Sequence, residues 1–449
     1  MISKISTLMG ELSYILAQKA GKKGSALPGK VAMKIKPDVL DDLIVKCDKT
    51  AIITGTNGKT TTNNLANHVF SGNNNEVISN LNGSNMLQGV ISPFLIDKKN
   101  KYDWGIFEVD EGSMCDVTQF IDADYIILTN FFRDQLDRYG EVENTIQIVH
   151  DSIKNENATL ILNADSPSSL YFSDLKNKKV YYSLGETKFA KEEQTVAESV
   201  VCPKCESKLE YEYINYGNMG KFSCPNCGIK NPEADYIITD VTLKAESYDF
   251  TVKDKKESAE IDLHLLGIYN LYNALGVITL ARENNFSYDL IKKQIENFEY
   301  KLGRMETIDL GFTEVVLVLS KNPIGLSEVF STINYDKSKK SLMFIMNDYS
   351  PDGTDVSWIW DAYFKEAVNI KNVDNFYCVG TRAEEVAMRL KYEEFPIDKI
   401  KIYHSQNRFD LQLPNHDFLN EDNDKKYLIA TFTALPEVRK ELMRMKEGK

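Results

Sequence analysis

Ala51-Ile52-Ile53-Thr54-Gly55-Thr56-Asn57-Gly58-Lys59-Thr60-Thr61-Thr62 decides the fold. Ala51–Thr54 is a short apolar, β-branched run and reads as a buried strand. Gly55, Thr56, Asn57 and Gly58 let the backbone turn tightly and expose its N–H groups. A polar helix over Thr60–Val69 follows, and a helix N-terminus favours anions. Strand, glycine loop and helix in that order predict a phosphate-binding loop. Lys59 is then a point charge on the β- and γ-phosphates, and the Thr60 hydroxyl is a magnesium ligand. Gly55 stands three residues before Gly58, so the loop is shorter than the commonest form. The plainer reading is a glycine turn with a chance Gly-Lys-Thr, and the order of the elements weighs against it.

Outward from the loop, strands and helices alternate. Trp104–Val109 reads as a strand running into Asp110 and Glu111, Tyr125–Thr129 as one ending at Asn130, and Thr159–Leu162 and Val180–Leu184 as two more. A helical pattern covers Thr145–Asn155. This α/β alternation predicts a parallel sheet with helices on both faces and ligands at the carboxyl ends of its strands. Magnesium on a nucleotide needs a carboxylate there. Glu108 fits, with Asp110 and Glu111 as rivals and a solvated acidic turn as the plainer reading.

From Val315 a second alternation begins, with strands at Val315–Ser320, Ser341–Met346, Phe376–Gly380, Ile400–His404 and Tyr427–Phe432. Helices are expected near Leu326–Ile333, Val356–Val368, Arg382–Lys391 and Pro436–Lys446, and a linker over Glu299–Gly311. The expected division is a helical segment at 1–48, an ATP-binding domain at 49–302 and a second, Rossmann-like α/β domain at 303–449.

Cys202-Pro-Lys-Cys205 and Cys224-Pro-Asn-Cys227 flank a hairpin-sized spacer, Lys208–Phe222. Two such knuckles suit a tetrahedral four-thiolate zinc site. The flanks Glu186–Glu198 and Tyr236–Thr239 mark the ribbon as an insertion at about 198–232, stabilised by its metal. Disulfides and nucleic-acid contact are the other readings. A formal charge of −13 over 449 residues argues against a nucleic-acid binder. No run of about 18 apolar residues exists to cross a membrane. Met1–Lys23 has apolar residues at helical spacing, interrupted by polar ones. An amphipathic helix docked on its own protein is expected, with membrane contact the lesser reading and a cytoplasmic location. Cys378 has no histidine near it in sequence and reads as a core residue.

Gly55-Thr56-Asn57-Gly58-Lys59-Thr60-Thr61 resembles the ATP loop of the Mur ligases, the ATP-dependent amide-forming enzymes of peptidoglycan synthesis. The resemblance continues at Glu108, Thr129-Asn130 with Asp134-Gln135-Leu136-Asp137-Arg138, Gly267-Ile268-Tyr269-Asn270 through Ala274, and Gly303-Arg304-Met305-Glu306. Ser320-Lys321-Asn322-Pro323, Asn347–Trp358 and the cysteine ribbon are similar to the MurT subgroup, the ligase-like subunits of lipid II isoglutaminyl synthase. That resemblance implies ATP-dependent amidation of the D-glutamate α-carboxyl of the lipid II stem peptide to D-isoglutamine through an acyl phosphate. It implies ammonia from a GatD-like class I glutamine amidotransferase, and membrane contact through the lipid-linked substrate only, at the inner face. By similarity Asn270 and Arg304 contact the nucleotide, and an aspartate among Asp348, Asp352 and Asp355, with Asp355 favoured, orients the partner's catalytic histidine. Capping or turn formation explains those aspartates equally naturally. Only 54 residues precede Gly55, too few for a typical N-terminal domain holding a uridine nucleotide. Gln135 stands where most relatives carry a magnesium-binding histidine. Leu319 replaces a common aspartate that orients an incoming amino acid, which suits ammonia. The alternatives are a stand-alone Mur-like or folylpolyglutamate-synthetase-like ligase, and a silent ATP-binding scaffold.

Overall fold

The apolar run of the loop motif lies inside a nine-stranded sheet. In the computed structural model, residues 2–19, 24–81, 84–132, 142–190, 201–244, 247–299, 304–405 and 417–448 are described, and of Arg304 only the backbone. Asp134–Arg138 of the family motif, Gly303 and the ribbon's lead-in from 191 lie outside them. In chain order the strands are β1 (Cys47–Thr54), β2 (Val77–Ser79), β3 (Tyr102–Glu108), β4 (Tyr125–Leu128), β5 (Thr159–Asn163) and β6 (Lys179–Leu184). A separate antiparallel hairpin, β7 (Glu210–Tyr216) and β8 (Met219–Ser223), follows. The sheet resumes with β9 (Tyr236–Leu243), β10 (Tyr248–Lys253) and β11 (Ser258–Leu263). Its order is β11-β10-β9-β6-β5-β4-β1-β3-β2. The strands from β2 to β9 run parallel, and β10 and β11 close one edge antiparallel.

Both faces of β1 are covered, which is why it reads as a continuous apolar run. Ala51 and Ile53 pack with Leu65, Ala66 and Val69 of the helix Lys59–Ser71 and with the helix Ile268–Glu283. Ile52 faces the opposite core with Leu40, Val90 and Phe94. The helix Ile268–Glu283 is buried along almost its whole circumference, so its sequence lacks a polar stripe.

A second sheet comprises β12 (Arg304–Asp309), β13 (Glu314–Leu319), β14 (Lys340–Ile345), β15 (Val373–Gly380), β16 (Ile400–His404) and β17 (Lys425–Ala430). Its order is β12-β13-β17-β14-β15-β16, parallel except for β12. The expected linker therefore carries a strand. Residues 304–309 pair antiparallel with β13 across a bulge at Met305, whose φ is +58°. The expected helix Val356–Val368 is broken into a 3-10 turn, Ser357–Trp360, and a short helix, Lys365–Asn369. Cys378 is fully buried in β15, and burial pushes its thiol far up.

Candidate functional site

The carboxyl ends of β1, β3 and β4 meet around the glycine loop. Gly58 has φ +88°, and a Cβ there would lie 2.1 Å from Asn273 Oδ1. Gly55 has φ +122°, and a Cβ would lie 2.4 Å from Thr129 Oγ1. Both glycines are thus needed for conformation and for close approach. Side chains past the end of β4 brace the loop. Asn130 Oδ1 accepts from Asn57 N at 2.9 Å, its carbonyl accepts from Thr56 N at 2.7 Å, and Thr129 Oγ1 donates to the Asn57 carbonyl at 2.8 Å. The helix Lys59–Ser71 starts behind Gly58 without a side-chain cap, which leaves first-turn N–H groups for an anion.

Lys59 is 9% exposed. Its Nζ donates to Glu111 Oε2 at 2.7 Å and to the Gly55 carbonyl at 2.5 Å. Burial pulls its pKa down, but the charges of Glu111, Asp110 and Glu108 outweigh burial and hold it above the usual lysine value. Burial likewise pushes Glu111 up, and Lys59 with a contribution from Lys321 brings it below the usual range. Lysine and acid are therefore both charged at neutral pH.

Glu108 ends β3, and its register partner on β1 is Ile53, two residues before Gly55. It is fully buried, and Asn80 holds its backbone on both sides, accepting from its N–H at 2.9 Å and donating to its carbonyl at 2.8 Å. Two of the three candidate acids for a metal thus part. Glu108 sits at the strand end beside the loop, whereas Glu111 is engaged by Lys59.

The second sheet supplies one wall. Asn322 Nδ2 donates to Asn57 Oδ1 at 2.8 Å, while Asn322 Oδ1 caps the helix Pro323–Tyr335 by accepting from Gly325 N at 2.8 Å. Asn270 is buried, donates to the Leu266 carbonyl at 2.7 Å and accepts from Asn273 Nδ2 at 3.0 Å. Among the described residues, Asn57 Nδ2, Thr61 Oγ1 and Ser320 Oγ are buried without a hydrogen-bond partner, at a cost that a bound polyphosphate would relieve. The donor set therefore fits a polyphosphate with its divalent cation, for which Thr60 and Glu108 would be the hard oxygen ligands. Asn273 and Asn322 lie in the motifs quoted from sequence but carried no role at the site there. The signal for Asn322 was its place before Pro323, an N-cap followed by proline at the first helical position.

The four cysteines converge as the spacing predicted. Their sulfur atoms all lie within 4.8 Å of one another, with Cys202–Cys227 at 3.6 Å and Cys205–Cys224 at 3.5 Å. A tetrahedron with metal–sulfur bonds of about 2.3 Å has edges of roughly 3.8 Å. These separations suit such a site and are too long for disulfides. The apolar support is slight, centred on Leu209 and Phe222. From the knuckles β7 and β8 run to the sheet. Asp165 binds Ser183 Oγ at 2.6 Å, Leu184 N at 2.8 Å and Tyr272 OH at 2.8 Å through its carboxylate, and Gly220 N through its carbonyl at 3.0 Å. Burial pushes its pKa up to about 7 against those hydrogen bonds. Gly217, at the hairpin turn, lies against Phe132 beside the loop and Ile324 of the second unit.

All three aspartates after β14 accept hydrogen bonds within the chain. Asp352 is buried and accepts from Thr433 N at 2.7 Å, and Asp348 accepts from Arg382 Nε at 2.9 Å. Asp355 is exposed and accepts from Ser357 N at 2.8 Å, the turn geometry weighed from sequence. Nearby, Trp358 packs toward the core, while Trp360 is 45% exposed, its ring 5.7 Å from that of the exposed Tyr392.

The Mur ligase middle domain model matches residues 53–227, and the MurT ligase C-terminal model matches 319–435. The MurT subunit of lipid II isoglutaminyl synthase (glutamine-hydrolyzing) from Staphylococcus aureus strain N315 is 34% identical over 389 residues, 87% of each chain. Its counterpart from Streptococcus pneumoniae strain ATCC BAA-255 / R6 is 33% identical, over 97% of this chain and 96% of that one. Among solved structures, the pseudomurein peptide ligase type C of Methanothermus fervidus superposes with a TM-score of 0.69 at 22% identity, over 88% of this chain and 78% of that one. That last likeness shows the shared α/β fold.

Proposed function

The chain belongs to the MurT family of Mur ligase-type enzymes and is an ATP-dependent ligase, and on that premise we propose that it amidates the D-glutamate α-carboxyl of the lipid II stem peptide to D-isoglutamine. The observation that carries this reading is the match to a glutamine-hydrolyzing synthase subunit along 97% of the chain, together with an intact phosphate loop. The carboxylate oxygen attacks the γ-phosphorus of ATP, and ADP leaves. Ammonia then attacks the acyl carbon of the acyl phosphate, and phosphate departs with that carboxylate oxygen.

Each residue has a task. Gly55, Thr56, Asn57, Gly58, Lys59, Thr60 and Thr61 cradle the polyphosphate, and Lys59 neutralises charge on the transferring phosphoryl group. Thr60 and Glu108 would hold magnesium, which would screen the phosphate oxygens against the incoming carboxylate. Asn270 and Arg304 contact the nucleotide. Cys202, Cys205, Cys224 and Cys227 hold a structural zinc ion.

The relatives are subunits of a complex by name, and the partner proposed here is a GatD-like class I glutamine amidotransferase that supplies ammonia. Cys378, buried with its thiol pushed up, is unsuited to attack glutamine. Asp355 is the residue that orients the partner's catalytic histidine, and the exposed Trp360 and Tyr392 suit a protein interface. No helix among the described residues is long and apolar enough to cross a membrane. The proposed site of work is the cytoplasmic face of the membrane, where a lipid-linked substrate is reached.

The test is mass spectrometry of lipid II incubated with the chain, ATP and magnesium, first with ammonium and then with glutamine plus the amidotransferase. Conversion of one acid to an amide is expected with ammonium, and with glutamine only when the partner is present. ATP consumption triggered by an amino acid, without amide formation from ammonia, would overturn the proposal in favour of a stand-alone ligase.

A further inference from the structure

The helix Ile2–Lys19 reverses the usual arrangement of a surface helix. Its buried residues are the small ones, Ser6, Gly10 and Ala17. Ser6 Oγ donates to the Ala32 carbonyl at 2.8 Å, and a Cβ on Gly10 would lie 2.6 Å from Leu95 and 3.0 Å from the Pro28 carbonyl. The helix therefore lies very close to the helix Leu27–Ile35, and its large side chains are left outside. Ile2, Leu8 and Leu16 are 61%, 55% and 66% exposed, and Ile5, Leu12 and Ile15 are over 40% exposed. At 100° per residue they fall on one arc, and Leu27 at the start of the next helix is exposed as well. An apolar arc running the length of an exposed helix face is the kind of surface that interacts.

Charge identifies the occupant. The first 36 residues carry seven lysines and one acidic residue, Glu11, in a chain of net charge −13. Glu11 is neutralised by Lys98 at 2.7 Å. Lys4 stands one turn before Leu8, and Lys19 one turn after Ile15; both are exposed, as are Lys30 and Lys34 on the next helix. Asp38 and Asp42 beyond them are engaged by Lys36. We infer that the helix Ile2–Lys19 is an interfacial anchor that lies in the plane of an anionic lipid surface, its apolar arc among the acyl chains and its lysines at the headgroups. The inference replaces membrane contact through the substrate alone, and it holds whichever acid is amidated. The anchor also adjoins the site. Gly29 N donates to Ser92 Oγ at 3.0 Å, fastening the helix pair to the helix Leu87–Asp97, and Asn85 just ahead of that helix accepts from Asp110 N at 2.8 Å, in the acidic turn beside Lys59.

Co-sedimentation of the full chain with substrate-free vesicles tests this. Binding is expected to phosphatidylglycerol–phosphatidylcholine vesicles, at least tenfold above binding to pure phosphatidylcholine, and to weaken in high salt. The Leu8→Glu/Leu12→Glu/Leu16→Glu variant is expected to stay in the supernatant with ATP affinity unchanged, which shows that the fold survives. Lys4→Glu/Lys19→Glu/Lys30→Glu, which keeps the apolar arc, is expected to lose the preference for anionic vesicles. Equal binding by the first variant, or no binding by the parent chain, overturns the inference. So does a parent dimer that the first variant splits, since the arc then covers a second copy.

Discussion

The glycine loop and the cysteine hairpin belong to the same nine-stranded unit, yet they are organised by opposite means. The loop is set by the protein itself. Asn130, Thr129 and Asn273 surround it, and the Lys59–Glu111 pair ties its lysine to the turn after β3. The hairpin has little of that support, because its own core is Leu209, Phe222 and the cysteines. Preorganisation makes the loop a site whose mutations cost function first. On the proposal that the four cysteines hold zinc, the ribbon would depend on its metal, and its mutations would cost structure first.

Metal removal gives the largest expected effect. A structural zinc is worth on the order of 10 kcal/mol to the element it organises. A chelator, or Cys205→Ser, should strip hydrogen-exchange protection from 201–231 while β1, β3 and β4 stay protected. Equal protection with and without metal would erase the contrast between the two regions.

The joint between the hairpin and the sheet comes next. Asp165 is raised from an unfolded value near 3.8 to about 7 by burial. The folded state therefore holds a proton that the unfolded chain has released, and stability is lost as pH rises from about 4 through 7. Three units correspond to roughly 4 kcal/mol. In Asp165→Asn the fall in Tm between pH 5 and 8 should flatten, and a parallel fall in both proteins would remove Asp165 from the joint.

Lys59→Ala should lower ATP-dependent turnover by about 10²–10³-fold, as loss of a charge-stabilising donor does. Protection of the ribbon should be unchanged, and a loss there would couple the two regions. Smallest is Gly58→Ala, whose strained φ and collision with Asn273 amount to about 1–3 kcal/mol. It should appear as weaker nucleotide binding by calorimetry with the zinc content intact.

Local chemistry explains what was legible in advance. The strand–loop–helix, the two cysteine knuckles and the alternation of the second sheet are signals within a few residues of each other, and each became the element it suggested. The strand β12 inside the expected linker Glu299–Gly311 was hidden because its pairing with β13, across a bulge at Met305, is a tertiary fact. The break in the helix after Val356 was hidden because apolar periodicity continues through Trp358 and Ile359 while the chain turns. Glu111 as the partner of Lys59, and Asn322 reaching Asn57 from the second sheet, required knowing which strand ends adjoin. The small-inside, large-outside helix at the N-terminus was equally opaque, since amphipathic spacing does not say which face is buried.

The central claim is that this site activates a carboxylate by phosphorylating it. Lipid II carrying 18O in the D-glutamate α-carboxyl, incubated with the chain, ATP, magnesium and ammonium, tests it most directly. The account predicts one 18O atom in the phosphate released per amide formed, read by 31P NMR. Amide formation with unlabelled phosphate would contradict it.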